Sequence, residues 1–472
     1  MKTYKYLFGF LFLFLMHFSG LAQSYKVVTV PAPGELEKSL GDDWDKIDSV
    51  VVKGTINKVD FQTLYNCSRL GKLTALNLES ATIEGNRIPD YALYYPNITL
   101  DYLDILRIIL PDNIIEIGEY SFGNMRLKKI NFPASLKKFS RGSFKGCHWM
   151  EVDPLIIPEG ITEIPHACFA HCQSFRKLVF PQSLKILGGA SFYNTRMEEM
   201  NLPEGLEIIG ESVFEGSGEL KRVVIPESVT KIGEGAFAQT DSLKSINIPH
   251  GVTEIPNTFL SFSSHKLDSI IIPDNIMRIG SYAFQCDYAL SYIQWPKYLK
   301  RIDAYAFCAT SITEIVLPET LEFIGVGAFY SLQSLEKVYC MAKIPPTAAL
   351  DAQNSDDGPF CWSARNSTLY VPKGSGDLYR IASGWQDFNK IVETDNFPSS
   401  CGITFAPSCT VSTSDGEIII NNPTDIPTRV SVYAVNGTLV RQEKVIGTFT
   451  LTVSPGIYLV KVNDKAQKVW VE

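Results

Sequence analysis

The sequence predicts a mainly β solenoid of stacked short repeats, with atypical caps at both ends and a small β-sandwich at the carboxy terminus. Three observations predict it. Pro111, Pro133, Pro158, Pro181, Pro203, Pro226, Pro249, Pro273, Pro296 and Pro318 recur every 22 to 25 residues, a solenoid period. Apolar side chains stand three and one residues before each proline, from Ile108 and Leu110 to Ile315 and Leu317. That alternation marks a strand with those two positions turned inward. A phenylalanine then closes each unit: Phe122, Phe144, Phe169, Phe192, Phe214, Phe237, Phe259, Phe284, Phe307 and Phe329.

The bulk properties bound the answer. At 472 residues the chain is too long for one compact core, so two or three units are expected. A hydrophobic content of 45% excludes general disorder. A formal net charge of −8 argues against nucleic acid or anionic lipid as the main partner.

Residues 1–22 read as a signal peptide. Lys2 and Lys5 give a positive start, Leu7 to Leu15 is an apolar run, and Gly20-Leu21-Ala22 offers small residues for cleavage before Gln23. Cleavage removes two lysines and no acid, leaving −10. The run is too short for a spanning helix, and no later stretch of that character follows. Residues 23–72 form the expected amino-terminal cap. Val27 to Val30 and Val50 to Val52 read as strands, Glu35 to Leu40 as a short helix, and Asp60 as the N-cap of a second helix reaching Leu64.

Residues 73–340 are the expected solenoid. One rung cannot bury its apolar face alone, but stacking builds a continuous core in which each rung touches only its neighbours. Proline ends each strand because it lacks the N–H for another ladder bond. The phenylalanines should stack into a spine, and Trp295, one residue before its proline, should be buried. Rungs about 4.8 Å apart make ten repeats roughly 45–50 Å long. Gly118, Gly188, Gly210, Gly233, Gly280 and Gly325 follow an inward apolar residue and are expected to supply a tight turn.

The units Leu243-Lys-Ser-Ile-Asn-Ile-Pro249, with Val252 after it, and Ile232-Gly-Glu-Gly-Ala-Phe237 resemble the BspA-like leucine-rich-repeat family. The likeness spans residues 103–340, with a degenerate earlier repeat at Leu73 to Leu78. It implies a secreted or surface-displayed bacterial leucine-rich-repeat protein of a kind that includes adhesins, and names no ligand.

Residues 341–393 should cap the other end, with Tyr379, Trp385 and Phe388 covering the last rung. Residues 394–409 read as a linker. Residues 410–472 carry six expected short strands: Glu417 to Ile420, Arg429 to Val435, Thr438 to Val440, Thr448 to Val453, Ile457 to Val462 and Lys468 to Val471. Val432-Tyr-Ala-Val-Asn-Gly-Thr-Leu-Val440 and Gly456-Ile-Tyr-Leu-Val-Lys-Val462 resemble the sorting domain of the type IX secretion route. A plain accessory β-sandwich is the other reading.

Candidate chemistry is sparse. Cys147-His148 and His166-Ala-Cys168-Phe-Ala-His171-Cys172 lie one rung apart. Three readings are open: packing thiols, a Cys147–Cys172 disulfide, or a zinc site. Cys401 with Cys409 would close a linker loop; Cys286 with Cys308, and Cys340 with Cys361, are further pairs. No nucleophile elbow, zinc-protease motif, phosphate loop or dinucleotide fingerprint occurs. The expectation is therefore a non-enzymatic protein with no cofactor and no metal, monomeric, acting outside the cell.

A binding face is expected on the outward strand rows. Two residues before proline stand Ile109, Ile156, Val179, Val224, Ile271 and Val316, interrupted by Asn131, Asn201, Asn247 and Gln294. Strand propensity alone places β-branched residues there; a partly apolar stripe that accepts a partner is the functional reading. Beside it run Arg107, Lys128, Lys129, Arg176, Lys177, Lys221, Arg222 and Lys244, interrupted by Asp153 and Glu198-Glu199. The expected partners are host or cell-surface proteins or glycans, held on a basic-flanked face. The alternative is a scaffold whose repeats only space other domains.

Overall fold

The computed structural model describes residues 24–96, 102–263, 266–350, 358–398, 410–414, 416–422, 428–434, 438–445, 447–462 and 465–471. The expected leader, and Cys401 and Cys409, lie outside them. The chain divides into two units, Met1–Phe397 and Pro398–Glu472.

In the first unit, the amino-terminal cap already supplies members of the solenoid sheet. β1 (Tyr25–Val30) pairs in parallel with β2 (Ser49–Ile56), and β2 with β3 (Ala75–Asn77). The sheet continues into the strands Arg107–Ile109 and Lys129–Ile130. Helix α1 (Leu36–Leu40) follows β1, and α2 (Lys58–Arg69) follows β2. The expected N-cap at Asp60 is corrected: Asn57 caps α2, and Asp60 occupies the third helical position of a capping box. The Asp60 carboxylate is fully buried and accepts from the backbone N–H groups of Gly34, Leu36 and Asn57 at 2.7–2.9 Å. It thereby ties α2 to the β1–α1 turn.

Each rung then makes three sides. The first is the expected strand ending at proline, paired in parallel with its neighbours. Leu155–Ile156, Lys177–Val179, Glu199–Asn201, Arg222–Val223 and Ser245–Ile246 form one such run. The inward positions are buried, Trp295 included at 3% exposure, except Phe132, which is half-buried. The second side is a two-residue strand after the proline, as in Glu163–Ile164, Ile186–Leu187, Ile208–Ile209 and Lys231–Ile232. The third is the turn that carries the phenylalanine. Its alternate N–H groups donate to the next rung, as from Phe169 to Ser191 O at 2.8 Å. The turn holds two left-handed residues per rung, such as Tyr120 with Asn124 and Ala190 with Asn194.

The glycine expectation is corrected. Gly118, Gly188, Gly210, Gly233, Gly280 and Gly325 are not the left-handed residues. A Cβ on Gly233 would lie 2.4 Å from the Glu211 backbone nitrogen, and one on Gly325 2.4 Å from that of Ala304. These glycines let successive backbones approach, and their N–H groups bond the rung before: Gly233 donates to Ile209 O at 2.8 Å.

All ten phenylalanines are fully buried. Phe122 to Phe237 stack face to face at 5.3–5.9 Å, and Phe284 to Phe329 at 5.1 and 5.6 Å. Between these runs Phe259 meets Phe237 and Phe284 edge-on, at 84° and 85°. The spine slot lies eleven residues after proline, and in this rung that position is Leu260. Leu260 N–H bonds Ala283 O as Phe214 N–H bonds Ala236 O.

The ladder runs on past residue 340, through Lys337–Cys340, Thr368–Pro372 and Lys390–Thr394. Phe360 adds one more ring to the spine, 5.0 Å from Phe329. Buried Tyr379, Trp385 and Phe388 close the end as expected. Trp385 packs on Phe360 at 5.2 Å and donates its indole N–H to Pro346 O at 2.9 Å.

The second unit has two antiparallel sheets. One orders Thr410–Ser414, Glu417–Asn422 and Gly447–Thr452; the other orders Leu439–Val445, Thr428–Ala434, Gly456–Val462 and Lys465–Val471. Thr410–Ser414 is a strand beyond the six expected. Ile418, Ile420, Val430, Val432, Val445, Val460, Val469 and Val471 form its core, as in a small sandwich.

Candidate functional site

The strand side presents two outward rows, because successive side chains alternate across a strand. In the row two residues before proline, Ile156, Val179, Val224 and Ile271 are 48–65% exposed. Ile156 and Val179 are direct ladder partners. Ile109 is half-buried. Val316 departs from expectation: it is buried at 8%, and its ladder partner is Tyr339, which stacks on Tyr370 at 4.6 Å. The bulkier tyrosines continue this row to the carboxy-terminal end.

The asparagines of this row act on the backbone. Asn131 accepts from Leu110 N–H at 2.7 Å and donates to Leu110 O at 3.1 Å. Asn247 does the same to Ile225, at 2.7 and 2.8 Å. Where an aliphatic residue stands instead, backbone pairs with backbone: Ile157 N–H donates to Val179 O at 3.0 Å.

The basic flank is corrected by its partners. Glu199 stands in register between Lys177 and Arg222. Lys128 pairs with Glu151 at 2.8 Å, Lys221 with Glu198 at 2.6 Å, and Arg176 with Glu219. The hydrogen bond from Lys221 holds the Glu198 carboxyl below its ordinary range. Lys177 N–H donates to Asp153 at 3.0 Å. Arg107 and Lys129 remain direct ladder neighbours of like charge, and exposed Lys244 lies beyond the paired stretch. The flank is thus a mixed-charge fringe, and exposed pairs of this kind weaken with salt. The acids that cancel it come partly from the turn before the strand, which row spacing alone does not bring alongside.

The cysteine–histidine segments do not converge. Cys147, Cys172, Cys286, Cys308 and Cys340 are outside any disulfide, so none of the Cys147–Cys172, Cys286–Cys308 or Cys340–Cys361 bridges is formed. Cys147 donates to Phe122 O at 3.0 Å and Cys172 to Phe144 O at 3.2 Å. They sit three residues after the spine residue, where other rungs place Thr195, Ser217, Thr240, Ser263 and Thr310. Ser217 likewise donates to the spine carbonyl of the rung before, at Phe192 O, while Thr240 and Thr310 donate to that of their own rung. The position calls for a small buried donor, and cysteine meets that requirement. Burial pushes the Cys147 thiol up to about 12 and raises Cys168 and Cys172 as well. His166 is exposed, while His171 bonds Asn194 at 3.1 Å. Among the described residues no group of three or more His, Cys, Asp or Glu is placed to hold a metal ion. Among them, too, no helix is long and apolar enough to cross a membrane.

Comparison with known proteins adds a family. The family described as BspA type leucine rich repeat region matches in six copies, over residues 86–154, 148–263 and 259–347. No curated protein matches the chain. Similar solved structures include a leucine-rich repeat protein from Bacteroides ovatus ATCC 8483, 20% identical over 62% of this chain and 70% of that one, with a TM-score of 0.44. A leucine rich cell surface protein from Faecalibacterium prausnitzii A2-165 is 19% identical over 73% and 83%, TM-score 0.39. The pneumococcal vaccine antigen PcpA is 15% identical over 79% and 90%, TM-score 0.32.

Proposed function

Because the chain belongs to the BspA-type leucine-rich-repeat family, we propose that it is a non-enzymatic, exported protein that captures a surface protein or glycoprotein on its strand side. The observation that carries this reading is the exposed row Ile156, Val179, Val224 and Ile271. Four aliphatic side chains on one side of a rigid ladder offer apolar area without ordering cost. The mixed-charge fringe of Lys177, Glu199 and Arg222 supplies orientation more than affinity. The partner is therefore one with an apolar contact of its own, not simply a polyanion.

The test is a screen of the mature chain against immobilised matrix proteins and glycans, repeated with V179D/V224D and with K128E/K177E/R222E. The aspartates should remove binding, and the charge reversal should change mainly its salt dependence. Binding that survives V179D/V224D places the site elsewhere. No binding to any surface in the screen would favour the scaffold reading.

We further propose that the second unit serves export as a sorting-type module; the resemblance of the Val432 to Val440 and Gly456 to Val462 segments supports that reading. Deleting residues 410–472 should then leave the chain inside the outer membrane; unchanged surface display would make the unit a plain accessory sandwich.

A further inference from the structure

We infer that the turn side of the solenoid carries a second binding site, for a lysine or arginine side chain of a basic peptide segment. The site is independent of the strand side and rests on other residues.

The observation is a cleft of about 500 Å³ spanning four rungs. Its floor is Gly235, whose backbone is left-handed at φ 61°. Around the point where a Cβ would stand, Ser212 Oγ, Glu215 Oε2 and Thr258 Oγ1 lie at 3.4–3.5 Å. Two oxygens from the rung before Gly235 and one from the rung after it therefore converge on a space that glycine leaves open. The ring is wider than a calcium or magnesium cage, whose ligands stand at about 2.0–2.6 Å. It suits an ammonium or guanidinium group, which hydrogen-bonds at about 2.7–3.0 Å from a slightly raised position.

The walls agree with a cation. Phe262 is 51% exposed and left-handed at φ 55°, an unfavourable conformation for a bulky residue. Tyr282 is 37% exposed. One face of Tyr282 stacks on Tyr305 at 5.4 Å and 5°, so its other face looks back along the stack toward the cleft. Aromatic faces attract cations, the more so where water is partly excluded. Glu211 and Glu234 complete the rim, and Glu234 also accepts from Asn257 at 2.8 Å. No lysine, arginine or histidine lines the cleft. Hydroxyl and carboxylate oxygens at the base, aromatic faces at the side and carboxylates at the mouth match the long stem and charged head of lysine or arginine.

The test measures fluorescence anisotropy of a labelled oligo-lysine decapeptide, and separately an oligo-arginine one, with the mature full-length chain in 150 mM salt. Three variants are compared: E211Q/E215Q/E234Q in the cleft, F262S on its wall, and D112N/E159Q/E204Q, which removes the same charge from the loops after the prolines. Thermal melts confirm that each is folded. The cleft triple should weaken binding by about tenfold, a loss of the size of one charge-assisted contact. F262S should weaken it severalfold, and the remote triple by less than about twofold. Equal weakening by the cleft and remote triples would mean attraction to an acidic protein at large. Unaltered affinity in the cleft triple or in F262S would overturn the site.

Discussion

At the residue scale, the solenoid depends on side chains whose role is defined by the next rung. The six glycines after inward apolar residues were visible in the sequence as a pattern, but their purpose was not. A tight turn is a local property, whereas close approach to Glu211 or Ala304 exists only once rungs stack. Gly233→Ala should therefore destabilise by about 1–3 kcal/mol through overpacking, read from urea unfolding. Gly218→Ala, whose Cβ would meet nothing nearer than 3.7 Å, should stay within about 0.5 kcal/mol. Equal effects would refute the close-approach account. The buried thiols make a pH prediction. Burial raises Cys147 from 9.0 to about 12 in the folded chain, so the native state is favoured by keeping that thiol neutral. The contribution is complete below about pH 9 and is lost as pH climbs from 9 toward 12. The urea midpoint should fall across pH 8 to 10.5, and less steeply in Cys147→Ser, which keeps the donor to Phe122 O. Iodoacetamide at pH 8 should label Cys147 only after unfolding, since the thiolate is the reactive form. Ready labelling of that native thiol would contradict its burial.

At the element scale, proline spacing and period-two alternation are enough to place the ten first-side strands that end at a proline, because both are set within a rung; the ladder strands Lys337–Cys340 and Lys390–Thr394, which lack that proline, are not placed by it. The two-residue strands on the second side were not foreseen. Too short to show an alternation, they exist only by pairing with neighbours, as Ile186–Leu187 does with Ile208–Ile209. The outward row was read correctly for direction and incompletely for exposure. Val316 is covered because the next rungs bring Tyr339 and Tyr370 into the same row. In the sequence the asparagines only interrupt an apolar stripe. Their spacing held no sign that Asn247 would replace a backbone partner of Ile225. That role predicts the outcome of Asn247→Asp, which keeps the size and the acceptor but removes the donor to Ile225 O. The cost should be about 1–3 kcal/mol, the penalty of a lost half-buried hydrogen bond with an uncompensated charge beside a carbonyl. Asn201→Asp, on the exposed position of the same row, is the control and should be nearly silent. If the two substitutions cost the same, Asn247 is only another surface residue.

At the scale of the whole solenoid, stability is the sum of rung energies and nearest-neighbour interfaces, so one poor interface sets where the stack opens. The spine identifies that interface. Phe192 and Phe214 have parallel partners on both sides, but Phe259 meets Phe237 and Phe284 only edge-on while Leu260 takes the ring's slot. The strand ladder also breaks there, between Ser245–Ile246 and Ser269–Ile271, as it does between Tyr292–Gln294 and Glu314–Leu317; only here does the break coincide with a slip in the spine. Phe259 looked like a regular member of the series by residue type; its distance of ten rather than eleven from Pro249 was the one available sign of the slip. The edge-on pairs of Phe259 keep the aromatic attraction of a stacked pair, but the leucine in the slot breaks the face-to-face packing that the other rungs repeat. Opening should therefore begin between the rungs of Phe237 and Phe284. Hydrogen exchange followed by mass spectrometry should show amides of 252–285 exchanging through a lower-energy opening than those of 178–232. Phe214→Ala should introduce a second such site at a cost of about 3–5 kcal/mol and extend fast exchange toward residue 192. Uniform protection from residue 107 to residue 340 would mean that the rungs unfold as one cooperative block and that the slip at Leu260 has no energetic consequence.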